Sequence, residues 1–138
     1  MNNERERRVS LDEEDIEKIQ NLLLEQPFKR LKHTDMFALA MIFGIKQGFR
    51  TPISKKKPMI REKTVRNSNL LYLMMAVAVE ETGNFDILAN KNDYFTISEE
   101  YAKTGVAFLE SAYIENPKGL LDSLELEALK HFDKVVKE

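Results

Sequence analysis

The chain has 138 residues, 43% of them hydrophobic, and no cysteine, which is typical of a single globular domain and excludes disulfides and thiolate metal sites. Its net charge of −2 hides a strong asymmetry: residues 28–66 carry +9, residues 1–27 carry −4 and residues 67–138 carry −7. Such a cationic block predicts an anionic partner, with phosphate backbones as the first candidate and an acidic surface of this chain or of a second copy as another.

Residues 1–9 are polar and charged, and we expect them to form a disordered tail ahead of one helical domain over residues 10–138. No apolar stretch follows the first residues, so the sequence predicts no signal peptide. The longest apolar run, residues 70–79, is about half of what a membrane-spanning helix needs. We therefore expect a cytoplasmic protein without a membrane partner.

The first predicted helix begins after Ser10, which would cap it together with Glu13 in a capping box. An apolar stripe at helical spacing follows, formed by Ile16, Ile19, Leu22 and Leu23. Pro27 then ends the helix.

The second predicted helix covers residues 35–47, with Thr34 as its cap, and it is apolar on almost every side. Gly44 costs helix stability, which predicts a close approach of another element at that point. Gly48 is placed for a left-handed C-terminal cap.

Residues 49–67, here called the basic arm, show no long periodicity. Pro52 and Pro58 frame the run Ser54-Lys55-Lys56-Lys57, so a helix is not expected there. The arm is predicted to be irregular, with a short strand around residues 59–65.

Three further helical segments and a short turn are predicted after the basic arm. The third helix, Leu70–Thr82, would be capped by Ser68 or Asn69, would end at Gly83 and would be covered on most sides. A turn is expected over Phe85–Ala89. The fourth helix covers residues 97–114 behind a capping box of Thr96 and Glu99, and the last covers residues 120–136.

These elements predict an all-α fold: a single compact domain of about five helices, with the basic arm between the second and the third. Residues 36–45 and 70–79 would lie side by side at its centre. The last helix would either cover this core or pair with its equal in a homodimer.

Two segments resemble a known family. Residues 37–53 read FALAMIFGIKQGFRTPI, and residues 99–109 read EEYAKTGVAFL. Both are similar to DNA phosphorothioation-associated protein 4, and the similarity covers about residues 28–125. The resemblance implies a setting in DNA modification and defence, beside systems that put sulfur into the DNA backbone. It carries over no catalytic residue.

The candidate DNA contacts all lie in or beside the basic arm. They would hold phosphates without reading the sequence, since the chain has no helix-turn-helix, zinc-finger or RNA-binding aromatic motif. A solvated loop and an acidic protein partner are the alternatives. This contact set consists of Lys46, Arg50, Lys55, Lys56, Lys57, Arg61, Lys63 and Arg66.

Two residues at the start of the basic arm have a second interpretation. Phe49 could stack on a base or pack back into the core. Arg50 could instead be a buried structural arginine that bonds to helix carbonyls or to a carboxylate.

Catalytic patterns are weak. Glu127 and His131 share one helix face, but a single pair does not make a metal site. The acidic pairs Glu80-Glu81 and Glu99-Glu100 are expected to be helix-end charges, not an acid/base dyad.

We therefore expect no cofactor and no metal, and favour a non-enzymatic role. The leading hypothesis is a non-catalytic accessory of a phosphorothioation-type system that contacts DNA, or a DNA-bound partner. The alternative is a protein-interaction or homo-oligomerisation module without nucleic-acid contact.

Overall fold

The fold is mainly helical, as predicted, with one small sheet in addition. A computed structural model describes residues 6–26, 28–116 and 118–119. In this part of the chain the elements are, in order, β1 Val9–Asp12, α1 Glu13–Leu22, a 3-10 turn Phe28–Arg30, α2 His33–Gln47, β2 Lys56–Ile60, α3 Glu62–Arg66, α4 Leu70–Thr82, a 3-10 turn Phe85–Ala89 and α5 Lys91–Glu115.

Helices α2 and α5 cross at two glycines and form the centre of the fold. A Cβ atom added to Gly44 would lie 1.9 Å from the backbone oxygen of Tyr101. One added to Gly105 would lie 1.6 Å from the backbone oxygen of Ala40. The close approach predicted at Gly44 is thus confirmed, and its partner is Gly105.

Helix α4 packs mainly on α5 and less on α2. It buries Leu70, Met74 and Ala78 on one face. On the other side Tyr72 is 71% exposed. Leu71, Leu73, Met75 and Val77 are half-buried against the core, so the helix is covered on most sides, as predicted, although α5 takes the central place beside α2.

The two strands form an antiparallel pair that joins the start of the chain to the basic arm. Ser10 lies opposite Pro58, Asp12 lies opposite Lys56, and the register shifts between Val9 and Ser10. The irregular arm is not confirmed: its middle is β2 and its end is α3. Proline is tolerated in β2 because a two-stranded sheet consists only of edge strands.

Three predicted helix starts are wrong. Ser10 lies in β1, so α1 begins after Asp12. Thr34 lies inside α2, which begins after Lys32. Helix α5 begins six residues before the predicted Ile97, because the Asn90 side chain accepts a hydrogen bond from the Asp93 N–H and caps it there.

Other predicted boundaries are confirmed. Helix α4 has the predicted ends, and the Ser68 hydroxyl accepts the Leu70 N–H at 3.2 Å. Gly48 and Gly83 end their helices in the left-handed region, with φ of 82° and 67°. The predicted helix over residues 120–136 lies outside the described residues.

Among residues 6–26, 28–116 and 118–119, no helix combines the length and the apolar character that a membrane crossing requires.

Candidate nucleic-acid interface

A fully buried carboxylate, Glu99, holds the basic arm and the start of the chain to α5. The Arg7 guanidinium donates to both of its oxygens, at 2.9 and 2.8 Å. The Ser10 backbone N–H donates at 2.7 Å, and Lys56 Nζ lies 3.2 Å away. Arg7 also stacks over the Phe95 ring at 5.3 Å. The interpretation of Glu99 as a helix-end charge is therefore wrong, since it is a buried structural anion.

One turn further along α5, Lys103 holds the other end of β1. Its Nζ lies 2.6 Å from Asp12 and 2.8 Å from Asp15, both buried carboxylates. Burial by itself would lower the pKa of Lys103, but the hydrogen bonds to Asp12 and Asp15 outweigh it and raise that pKa. Lys103 therefore stays charged and fixes β1 against α5.

Asp12 also fixes the start of β2. Its oxygens accept the backbone N–H of Lys55 at 2.6 Å and that of Ser54 at 3.3 Å. Burial raises the pKa of Asp12, but the hydrogen bonds from Lys103 and from these two N–H groups lower it by more. The pKa of Asp12 therefore lies below its usual value. The backbone at the start of the predicted lysine run is thus fixed to Asp12.

A third carboxylate, Glu62, joins α3 to the start of α5. It accepts the Arg7 backbone N–H at 2.7 Å, Lys91 Nζ at 2.9 Å and Arg66 Nε at 2.8 Å. Burial raises the pKa of Glu62, yet the bonds from Lys91, the Arg7 N–H and Arg66 lower it to about 2. Glu62 is therefore ionised at neutral pH.

The basic arm does not stand apart from the acidic parts of the chain. Within the described residues, many of the contact set pair with carboxylates of other elements. These pairs are Arg50 with Glu81 and Glu100, Lys56 with Glu99, Lys57 with Glu13, Arg61 with Glu6, and Arg66 with Glu62. The fold thus compensates part of the +9 block.

Several of these cations nevertheless remain open to solvent. The side chains of Lys57, Arg61 and Arg66 are 53%, 72% and 55% exposed. Lys55 and Lys63 are exposed as well, and their backbone N–H groups donate to Asp12 and Glu6, respectively. Exposed ion pairs contribute about 0–1 kcal/mol, so a phosphate can share or displace such partners.

Arg50 and Phe49 lie at the surface. Arg50 contacts Glu81 at 3.4 Å and Glu100 at 3.5 Å. The structural interpretation of Arg50 is thus right about the carboxylate partners and wrong about burial, since the residue is exposed. The hydroxyl of Tyr101 donates to the same Glu81; this bond and burial both raise the pKa of Tyr101. Phe49 is 50% exposed and meets the Phe108 ring edge-on, so it does not pack back into the core.

No group of three or more metal-ligating side chains occurs in the part of the chain that the structure describes. His33 is exposed at the start of α2. The predicted pair of Glu127 and His131 lies outside the described residues.

Sequence reasoning missed the side chains that hold this surface together. Arg7 fell in the predicted tail, yet it bonds to Glu99 and Asn92. Neither Lys91 nor Lys103 was singled out from the sequence. The spacing of Glu99 and Lys103 was a usable signal. The two residues are four apart on one face of the helix, and each is opposite in charge to its partner in the sheet, Lys56 for Glu99 and Asp12 for Lys103.

A protein-family model matches almost the whole chain. The model of DNA sulphur modification system-associated protein 4 matches residues 5–136. The chain belongs to this family, as the resemblance in α2 and α5 predicted. No curated protein and no solved structure shows significant similarity to it.

Proposed function

We propose that this protein is a non-catalytic accessory component of a DNA sulphur modification system, and that it contacts the DNA backbone, or a DNA-bound partner, through its basic arm. The observation that carries the proposal is an exposed group of cations on or directly beside β2 and α3: Lys55, Lys57, Arg61 and Arg66. Family membership supplies the setting. Phosphate contacts of this kind position a protein on DNA without reading its sequence.

The fold dictates which lysines can be changed in a test. Lys56 pairs with the buried Glu99, so a glutamate at that position would place two carboxylates together and damage the fold. The informative variant is therefore Lys55→Glu/Lys57→Glu, which leaves Lys56 in place. The matched control is Lys18→Glu/Lys118→Glu, which makes the same change of charge outside the contact set.

Duplex affinity is then measured at two salt concentrations. Each phosphate that the wild type neutralises adds about −0.9 to the slope of log K against log salt, so four contacts give a slope of about −3.6. We expect the Lys55/Lys57 variant to bind at least about tenfold more weakly, with a slope shallower by about 2 units. A wild type without affinity for duplex at about 50 mM salt contradicts direct DNA contact.

A second candidate function, a homo-oligomerisation or protein-interaction module, is favoured by an apolar surface on α2 and α5. Ile42, Ile45 and Phe49 recur at helical spacing and are all more than a third exposed, and the Phe49 ring meets the exposed Phe108. Light scattering on the wild type and on Ile42→Glu/Phe49→Glu tests it. A wild type that is monomeric at high concentration speaks against a homo-oligomer.

A further inference from the structure

An open cavity with a volume of ≈ 570 Å³ lies where the start of α5 meets α3, and this volume is in the range of ligand pockets. Its polar lining consists of Arg7, Arg66, Lys91, Asn90 and Asn92, with Tyr94 beside them. None of the described residues that line it is acidic. Only Arg66 among them belongs to the contact set predicted from the sequence.

The hydrogen bonds within the fold leave this cavity with donors. Asn92 Oδ1 accepts from Arg7 Nε at 3.0 Å, so its amide NH₂ is left for a ligand. Asn90 Oδ1 accepts from the Asp93 N–H at 3.3 Å, so its NH₂ is left in the same way. The Oδ1 atoms of both asparagines thus each already accept one hydrogen bond from the protein.

The two outer cations are held by one carboxylate below the cavity. Glu62 uses Nε of Arg66 and one N–H of Lys91. The two amino groups of the Arg66 guanidinium and the other two N–H groups of Lys91 remain for a ligand. Arg7 is fixed by Glu99 at the back of the site.

The charged side chains around the cavity also favour an anion. Arg7, Arg66 and Lys91 carry three positive charges against the two negative charges of Glu62 and Glu99, and Lys56 shares Glu99. The N-terminus of α5, a helix of 25 residues, adds positive potential. Asp93 stands on the same first turn but does not line the cavity.

A site that offers several charged and amide donors fits a tetrahedral oxyanion. We propose that this cavity binds a phosphate group through Arg66, Lys91 and Asn92. On the proposed function, on which this assignment of the source rests, the phosphate belongs to a DNA strand that continues along β2. A free phosphate or a mononucleotide offers the same chemistry.

The fold supplies a test that spares its own stability. Asn92→Asp keeps the oxygen that accepts from Arg7, keeps the side-chain shape and favours the first turn of α5, but it places a negative charge in the cavity. The matched control is Asn116→Asp, the same substitution at the C-terminal end of α5. Thermal melting should show both variants folded.

The three proteins are titrated with inorganic phosphate, a deoxynucleoside monophosphate and a short DNA duplex, followed by NMR shifts of the Asn92 and Lys91 amides and by calorimetry. We expect the wild type and Asn116→Asp to bind the phosphate-bearing probes, and Asn92→Asp to bind at least about tenfold more weakly.

The outcomes separate this site from the proposed function. Duplex and monophosphate binding that are both weakened in Asn92→Asp support a nucleic-acid phosphate. Monophosphate binding without duplex binding supports the site and contradicts direct DNA contact. Duplex binding that Asn92→Asp leaves unchanged overturns the site alone. A wild type that binds none of the three probes also overturns the proposed phosphate site.

Discussion

Arg7 and Glu99 form a two-pronged ion pair, with Nη1 and Nη2 of the guanidinium 2.9 and 2.8 Å from the two carboxylate oxygens. The carboxylate is fully buried and the guanidinium is mostly so. Since Ser10 and Lys56 bond to the same carboxylate, one side chain of α5 holds both strands of the sheet.

Replacement of this carboxylate should be costly. In Glu99→Ala the Arg7 guanidinium and the Ser10 N–H lose their partner inside the fold, and we expect unfolding to become easier by about 3–5 kcal/mol. Chemical denaturation measures the change. Glu110→Ala on the same helix removes only a long, half-exposed contact to Lys18 and should cost less than about 1 kcal/mol. Equal losses in the two variants would contradict the role of Glu99.

The crossing of α2 and α5 leaves no room for a methyl group. Gly105→Ala would place Cβ 1.6 Å from a backbone oxygen, so the helices must move apart, and we expect a loss of about 3 kcal/mol or more. Gly83→Ala serves as the control, since it meets no atom within 4 Å and only strains a left-handed residue, at about 1–2 kcal/mol. Thermal melting of both variants checks the order of these losses.

Lys103 compensates two buried carboxylates, so its removal should also destabilise the fold. In Lys103→Met the carboxylates of Asp12 and Asp15 face each other without a cation, and we expect a loss of about 3–5 kcal/mol. The double variant Lys103→Met/Asp15→Asn should recover part of this loss, because it removes one of the two charges. A double variant no more stable than the single one would argue against this pairing.

Stability should fall in acid, in part through Glu62. Its pKa is about 2 in the folded protein against an ordinary 4.5, so the unfolded chain binds the proton more tightly. The stabilisation is complete above about pH 4.5 and is lost as the pH falls towards 2, a difference of about 1–3 kcal/mol. Denaturation between pH 6 and 3 should show a shallower pH dependence in Glu62→Gln, on the order of one proton less.

Much of the helical fold could be predicted because its signals are local. Helix α4 and the glycines at 48 and 83 follow from composition and spacing within one or two turns. The pairing of β1 with β2 could not be predicted, since strands of four and five residues that meet across more than 40 positions leave no periodicity.

The candidate site was harder to predict than the fold. Thr96 and Glu99 have the spacing of a capping box, but Asn90 begins the helix earlier and leaves Glu99 free to enter the core. Arg66 was recognised from the basic block. Its neighbours in the cavity, Lys91 and Asn92, come from a segment without unusual charge, and only the tertiary fold brings them to α3.

The ion pair of Arg7 with Glu99 spans 92 positions of the sequence. During synthesis β1 can pair with β2 once Ile60 has emerged, but Arg7 has to wait for its carboxylate until α5 has left the ribosome. Contacts of such long range slow folding, because the loop between them must close first. We therefore expect the docking of Arg7 on Glu99 to be a late step of folding, and nascent chains that stop before α5 should be open to proteases.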